Sequence, residues 1–155
     1  DDPAYAIVGV WRAANNSWAM PVQWTGAGTA RGCPLEIYGN QLYSIRDDGA
    51  GGGSAAQIGS GLGGTFVTAK PFALMIDSAR LASLYVDGSL LGSVTIANSA
   101  STAFTSFSLG HPSSIVPGQA VAELAILKIP TGWTAAQFFA WIQGPYNAMR
   151  ARWGV

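Results

Sequence analysis

Hydrophobic residues in this chain come in short runs separated by turn formers. Nine such runs stand out: AYAIVGVW, WAMPVQW, PLEIYG, QLYSIRD, PFALMIDS, ASLYVDG, LLGSVTI, FTSFSLG and AVAELAILKI. Strands this short and closely spaced predict an all-β sandwich or barrel. In WAMPVQW, alternation places Trp18, Met20, Val22 and Trp24 on one face and Ala19, Pro21 and Gln23 on the other. Pro21 has no N–H to give to a ladder, which predicts an edge or bulged strand there. AYAIVGVW and AVAELAILKI are apolar on both faces, the pattern of strands in the middle of a sandwich.

The period changes after Pro130. In GWTAAQFFAWIQGP, Thr134 is placed as N-cap with Gln137 three residues on, a capping box, and Trp133 and Phe138 occupy the two positions of a hydrophobic staple. Phe138, Trp141 and Ile142 form an i, i+3, i+4 apolar stripe that reads as core. Gly144-Pro145 ends the predicted helix, which spans 134–143, and YNAMRARW adds a second short helical turn. Between these regions, DDGAGGGSAAQIGSGLGG is the one low-complexity stretch. Its composition predicts a mobile surface loop over 47–64. The residues before it are too few to make a β domain alone, so residues 1–155 are read as a single domain. In LYVDGSLLGSV, Asp87-Gly88 is a hairpin signal, so Asp87 turns the chain and carries no chemistry.

Composition narrows the function classes. Charged residues are 10% of the chain, against about 25% in ordinary soluble domains, and eight basic residues balance eight acidic ones. Nucleic-acid binding is thereby excluded, because phosphates demand a surplus of Lys and Arg on one face. With 49% hydrophobic residues and no net charge, a free monomer has weak colloidal protection, which points to a homo-oligomer or larger assembly. No signal peptide is visible, and the apolar runs fall short of the ~20 residues of a spanning helix, so membrane insertion is not expected. The chain opens DDPAYAIVGV without a methionine and reads as a processed product or a part of a longer protein. Cys33, just before a strand in RGCPLEIY, is the lone cysteine, so the domain must be stable without an intrachain disulfide.

The longer pattern PFALMIDSARLASLYVDGSLLGSV, then FSLG, then AVAELAILKIPTGWTAAQFFAWI resembles the laminin-G-like, concanavalin A-like lectin/glucanase superfamily. Asp87-Gly88, Leu109-Gly110, Glu123 and Thr134 stand where that family has its turn, its strand end, its glutamate and its helix start. The resemblance runs from about Phe72 to Ile142. It implies an all-β jelly-roll sandwich of two antiparallel sheets with a short C-terminal helix. That scaffold is often used for glycan binding and adhesion, and is sometimes carried on bacteriophage surface proteins.

The glucanases of that superfamily use carboxylates spaced along one strand, and this chain has no such run. Its only glutamates are Glu36 and Glu123, and Glu123, alone in an apolar strand, reads as a hydrogen-bonded structural group. The one histidine, His111, precedes a proline, and there is no Gly-x-Ser-x-Gly elbow to host serine chemistry. One histidine and one cysteine cannot supply a zinc site. No enzyme is expected. For calcium, the candidate pair is Asp47-Asp48 at the mouth of the glycine-rich segment, since carboxylates and carbonyls in loops are its usual ligands, although no EF-hand spacing is present.

Sugar recognition needs an exposed aromatic plane for the apolar face of a pyranose, with amides or charges for its hydroxyls. The chain has six tryptophans and five tyrosines. Trp18 follows Asn15-Asn16, and Tyr38, Gln41, Tyr43 and Arg46 cluster before the glycine-rich segment. With His111, these are the candidate ligand contacts. Asn15-Asn16-Ser17 also matches the N-glycosylation sequon. Two readings follow: a noncatalytic module on a cell or virion surface that binds a glycan or cell-surface polysaccharide, or a structural or decoration domain of a phage capsid or tail that uses the same fold for assembly contacts.

Overall fold

The structure, a computed structural model, describes residues 4–13, 18–26, 31–46, 54–96, 104–110 and 118–155. The strands are β1 (Tyr5–Arg12), β2 (Trp18–Ala19), β3 (Val22–Gly26), β4 (Arg31–Tyr38), β5 (Gln41–Arg46), β6 (Ser54–Ser60), β7 (Lys70–Ile76), β8 (Leu81–Val86), β9 (Ser89–Thr95), β10 (Phe104–Leu109) and β11 (Ala120–Lys128). A 3₁₀ turn, Gly63–Phe66, precedes β7, and among the described residues one α-helix, α1 (Ala135–Trp153), follows β11. Five strands pair in the order β11-β1-β7-β8-β9 and the rest in the order β10-β3-β4-β5-β6, with β2 on β4. Every pairing is antiparallel. This is the expected all-β sandwich of two antiparallel sheets with a C-terminal helix.

Two cores hold the layers. Between the sheets, Ile7, Trp11, Leu35, Ile37, Leu42, Phe66, Phe72 and Leu74 pack together, with Trp11, Phe66 and Phe72 in mutual ring contact. On the other face of the five-stranded sheet, Ala6, Val8, Val10, Ala73 and Met75 pack under Phe138, Phe139, Ile142, Tyr146 and Met149 of α1. The sandwich and the helix thus require β1 and β7 to be apolar on both faces. Their unbroken hydrophobic runs have this cause.

Asp87 and Gly88 adopt positive φ, 52° and 86°, the conformation of a tight primed turn between β8 and β9. The Asp87 carboxylate pairs with Lys70 Nζ at 2.7 Å. Gly88 N–H donates to the Tyr146 hydroxyl at 3.3 Å, and that hydroxyl donates to the Pro71 carbonyl at 2.9 Å. The turn is therefore a docking point for the helix. Burial pushes the Tyr146 hydroxyl up to about 12. Glu123 takes two bonds from Arg152 Nη2, at 2.8 and 3.0 Å, and one from Trp153 Nε1 at 2.8 Å. The bond from Trp153, then those from Arg152, hold its carboxyl below the usual range. Glu123 is the structural group expected, and it ties the helix end to β11.

Six expectations need correction. The stretch read as a loop over 47–64 contains β6 at 54–60 and the 3₁₀ turn; Ala56 and Ile58 reach the core at alternate positions, and β6 ladders onto β5. Two buried apolar residues at period 2 outweigh the glycine content. The helix does not stop at residue 143 but runs through Gly144-Pro145 to Trp153. Glycine before proline has no Cβ to strike the pyrrolidine ring, and buried Tyr146 and Met149 anchor the second half. Trp141 is not core: it is 66% exposed, while Phe138 and Ile142 are buried. WAMPVQW is split at Met20-Pro21 into β2 and β3, and Ala19, Met20, Val22 and Gln23 are all buried, so members of both predicted faces are covered. Cys33 lies inside β4, not before it.

The sixth correction matters most for surface chemistry. AVAELAILKI is not a middle strand: β11 is the outer strand of its sheet, and Ala120, Ala122, Ala125 and Ile126 are exposed. Period-2 reasoning cannot separate a strand buried on both faces from an apolar edge. The capping box and staple stand as expected: Gln137 N–H donates to Thr134 Oγ1 at 3.2 Å, Thr134 N–H donates to Gln137 Oε1 at 2.9 Å, and the Trp133 and Phe138 rings meet edge-on at 6.4 Å.

Candidate functional site

The turn Gly39-Asn40 joins β4 to β5, both residues at positive φ, and brings Tyr38 directly opposite Gln41. Trp18 of β2 lies opposite Tyr38 on the other side, and Ser60 of β6 lies opposite Gln41. One cross-strand row therefore reads Trp18, Tyr38, Gln41, Ser60. The next row, Ala19, Ile37 and Leu42, points into the core between the sheets. Alternation then sends Tyr38, Gln41 and Tyr43 to the outer face of the six-stranded sheet.

Tyr38 is 61% exposed, Gln41 and Tyr43 are half-buried, and the Tyr43 hydroxyl donates to Gln41 Oε1. Behind them, Glu36 is buried opposite Tyr43, and Gln57 is exposed on Tyr43's far side. The bond to Tyr43 fixes the Gln41 side chain. Its amide donors then stand beside an open phenol ring, an arrangement that suits a ligand with one apolar face and rim hydroxyls.

Of the residues singled out from sequence, the fold gathers Tyr38, Gln41 and Tyr43 and places the backbone of Trp18 beside them. It does not gather Arg46, the last residue of β5, which stands about 16 Å along the strand from Gln41 at ~3.3 Å per residue. His111, Asp47, Asp48 and the sequon Asn15-Ser17 lie outside the described residues. Among the described residues no three His, Cys, Asp or Glu side chains converge as metal ligands. Sequence reasoning missed Gln57, whose strand was hidden in the glycine-rich stretch. The alternation of Ala56, Gln57 and Ile58 was the signal available.

The two glutamates stand on opposite outer faces of the sandwich: Glu36 alternates with core residues Leu35 and Ile37, and Glu123 faces the helix. Stacked sheets lie about 10 Å apart, so groups on their far sides exceed the ~5–9.5 Å separation at which paired carboxylates cleave a glycoside. This pair cannot do that chemistry.

A second feature lies where the sheets fail to close. Leu109 of β10 and Val121, Leu124 and Ile126 of β11 line an open apolar depression of about 490 Å³. Leu109 is 60% exposed and Ile126 50%. On the opposite side the sandwich is shut, because β9 passes so close to β6 that a Cβ added at Gly92 would lie 2.8 Å from the Ile58 carbonyl oxygen.

No protein-family model and no curated protein sequence matches the chain. Solved structures of similar fold include botulinum neurotoxin binding domains. One is the binding domain of serotype D/C, 8% identical with a TM-score of 0.64, covering 95% of this chain and 37% of that one. Another is the binding domain of neurotoxin DC in complex with rat synaptotagmin II, 9% identical with a TM-score of 0.63, covering 95% and 36%. A third belongs to neurotoxin type C, whose cell entry depends on interaction with two ganglioside molecules; it is 8% identical with a TM-score of 0.63, covering 95% and 36%. The chain spans about a third of the length of these proteins, and at this identity the likeness is one of fold.

Proposed function

We propose that this chain is a noncatalytic carbohydrate-binding module acting outside cells, with its glycan seated on the outer face of the β4–β5 hairpin. The observation that carries this reading is the exposed Tyr38 ring beside the Gln41 amide, itself held by Tyr43. The distance between the two glutamates supports a role without catalysis. The similar solved structures are binding domains, one described with interaction with two ganglioside molecules and another, of neurotoxin DC, in complex with SialylT, which supports a sugar as the partner. No helix among the described residues is long and apolar enough to cross a membrane.

The test is a glycan array followed by calorimetric titration of any hit. Tyr38→Ala is expected to weaken binding at least tenfold, about 1.4 kcal/mol, without loss of stability, because the ring is exposed. Full-strength binding by Tyr38→Ala and by Tyr43→Ala removes the hairpin from the reading.

A second reading has its own observation. Strand β11 is a nine-residue apolar edge with no proline and one lysine, bordering the open depression. Such an edge is a template for association. We therefore also propose that this edge joins copies in a larger surface assembly, such as a virion. Sedimentation of the wild type is expected to show association that rises with concentration. Ile126→Lys is expected to shift it to monomer, and equal masses for both at all concentrations refute the role of this edge.

A further inference from the structure

We infer that Trp133, Gln137 and Trp141, at the start of α1, form a second site for an uncharged pyranose, on the side of the sandwich opposite the hairpin. Trp141 is the most exposed large hydrophobic residue described, at 66%, and Trp133 is 39% exposed. The two indoles meet at 90° with centroids 6.3 Å apart, making a right-angled notch. Neither ring is loose. Both rest on buried Phe138, Trp133 through the staple at 6.4 Å and Trp141 at 5.5 Å.

The polar partner is fixed by the same local structure. Gln137 Oε1 accepts from the Thr134 N–H and hydroxyl, at 2.9 and 3.1 Å, which leaves both amide N–H donors for an outside acceptor. Gln137 and Trp141 are four apart on the helix and share a face. One indole plane can take the C–H face of a sugar ring, the second can flank it, and the amide can meet a hydroxyl. Charge selects the ligand class: residues 129–149 contain no Asp, Glu, Lys or Arg. An uncharged ring matches this surface. A sialylated or sulfated ring finds no cation on this segment, and an anionic lipid surface finds none to attract it.

This inference does not depend on the hairpin reading. The hairpin patch is on the outer face of the six-stranded sheet, and α1 packs on the outer face of the five-stranded one. Two sites facing apart bridge separate glycan chains, so a domain with both would gain avidity on a polymer.

Each tryptophan gives one indole N–H resonance, which makes the test residue-specific. ¹⁵N-labelled protein is titrated with cellohexaose, maltohexaose and chitotetraose. The Trp133 and Trp141 indole peaks are expected to move saturably with at least one of them. Trp141→Ala is expected to weaken that binding at least tenfold while the remaining amide spectrum stays dispersed, and Tyr38→Ala is expected to leave the Trp133 and Trp141 shifts intact. Immobile indole peaks with all three sugars overturn the inference. It is also overturned if phosphatidylcholine vesicles or rising protein concentration move those peaks and the sugars do not. Sugar shifts abolished by Tyr38→Ala but not by Trp141→Ala overturn it too, and leave the hairpin reading standing.

Discussion

Gly9→Val is expected to lower stability by about 3 kcal/mol and to detach β11 from its sheet before the rest unfolds. Gly9 lies in β1 between Leu124 of β11 and Phe72 of β7. A Cβ built there runs into the Glu123 carbonyl oxygen, with Leu124 Cδ1 at 3.2 Å and Phe72 Cε1 at 3.3 Å. The first of these is backbone and cannot rotate away. Strand β11 can yield only by opening the ladder beside the irregularity between Val10 and Trp11. Urea unfolding measures the loss, and hydrogen exchange shows whether the β11 amides lose protection first. A variant within about 0.5 kcal/mol of wild type, the range of neutral surface changes, contradicts the close approach.

The second large effect belongs to Tyr146 and depends on pH. Its hydroxyl is protonated in the fold and titrates at about 12, above the ~10 of an unfolded tyrosine. A raised folded value means that the native state holds the proton more tightly. The stabilisation is therefore complete below pH 10 and is lost as pH rises toward 12. Two units correspond to about 2–3 kcal/mol. In neutral solution Tyr146→Phe is expected to cost about 2 kcal/mol, since the Gly88 N–H and the Pro71 carbonyl each lose a buried partner. The variant should also lack the part of the alkaline decline that belongs to this hydroxyl. Denaturant unfolding at pH 7, 9 and 11 on both proteins reads this out. Parallel curves for the two place the alkaline loss elsewhere.

Both effects arise where α1 and β11 meet the sandwich, and both sites show what a linear pattern carries. The DG turn, the capping box and the staple were legible because each is a contact within a few residues, governed by φ preferences and by the orphan donors of a helix start. The extent of β6 was not, because its glycine-rich composition masked two alternate core residues. Nor was the length of α1, because Gly144-Pro145 reads as a stop until Tyr146 has Pro71 and Gly88 to bind.

By itself, the order of residues determined the all-β class of fold, the turn at Asp87 and the start of the helix. Those follow from interactions between near neighbours, whose geometry the backbone dictates. Tertiary structure alone decided which apolar residues stay in water. Trp141 and β11 carry the same hydrophobic signature as buried elements, and only β11's place at the edge of its sheet and Trp141's place off the packed face of α1 leave them uncovered. Burial depends on partners distant in the chain, and periodicity cannot report them.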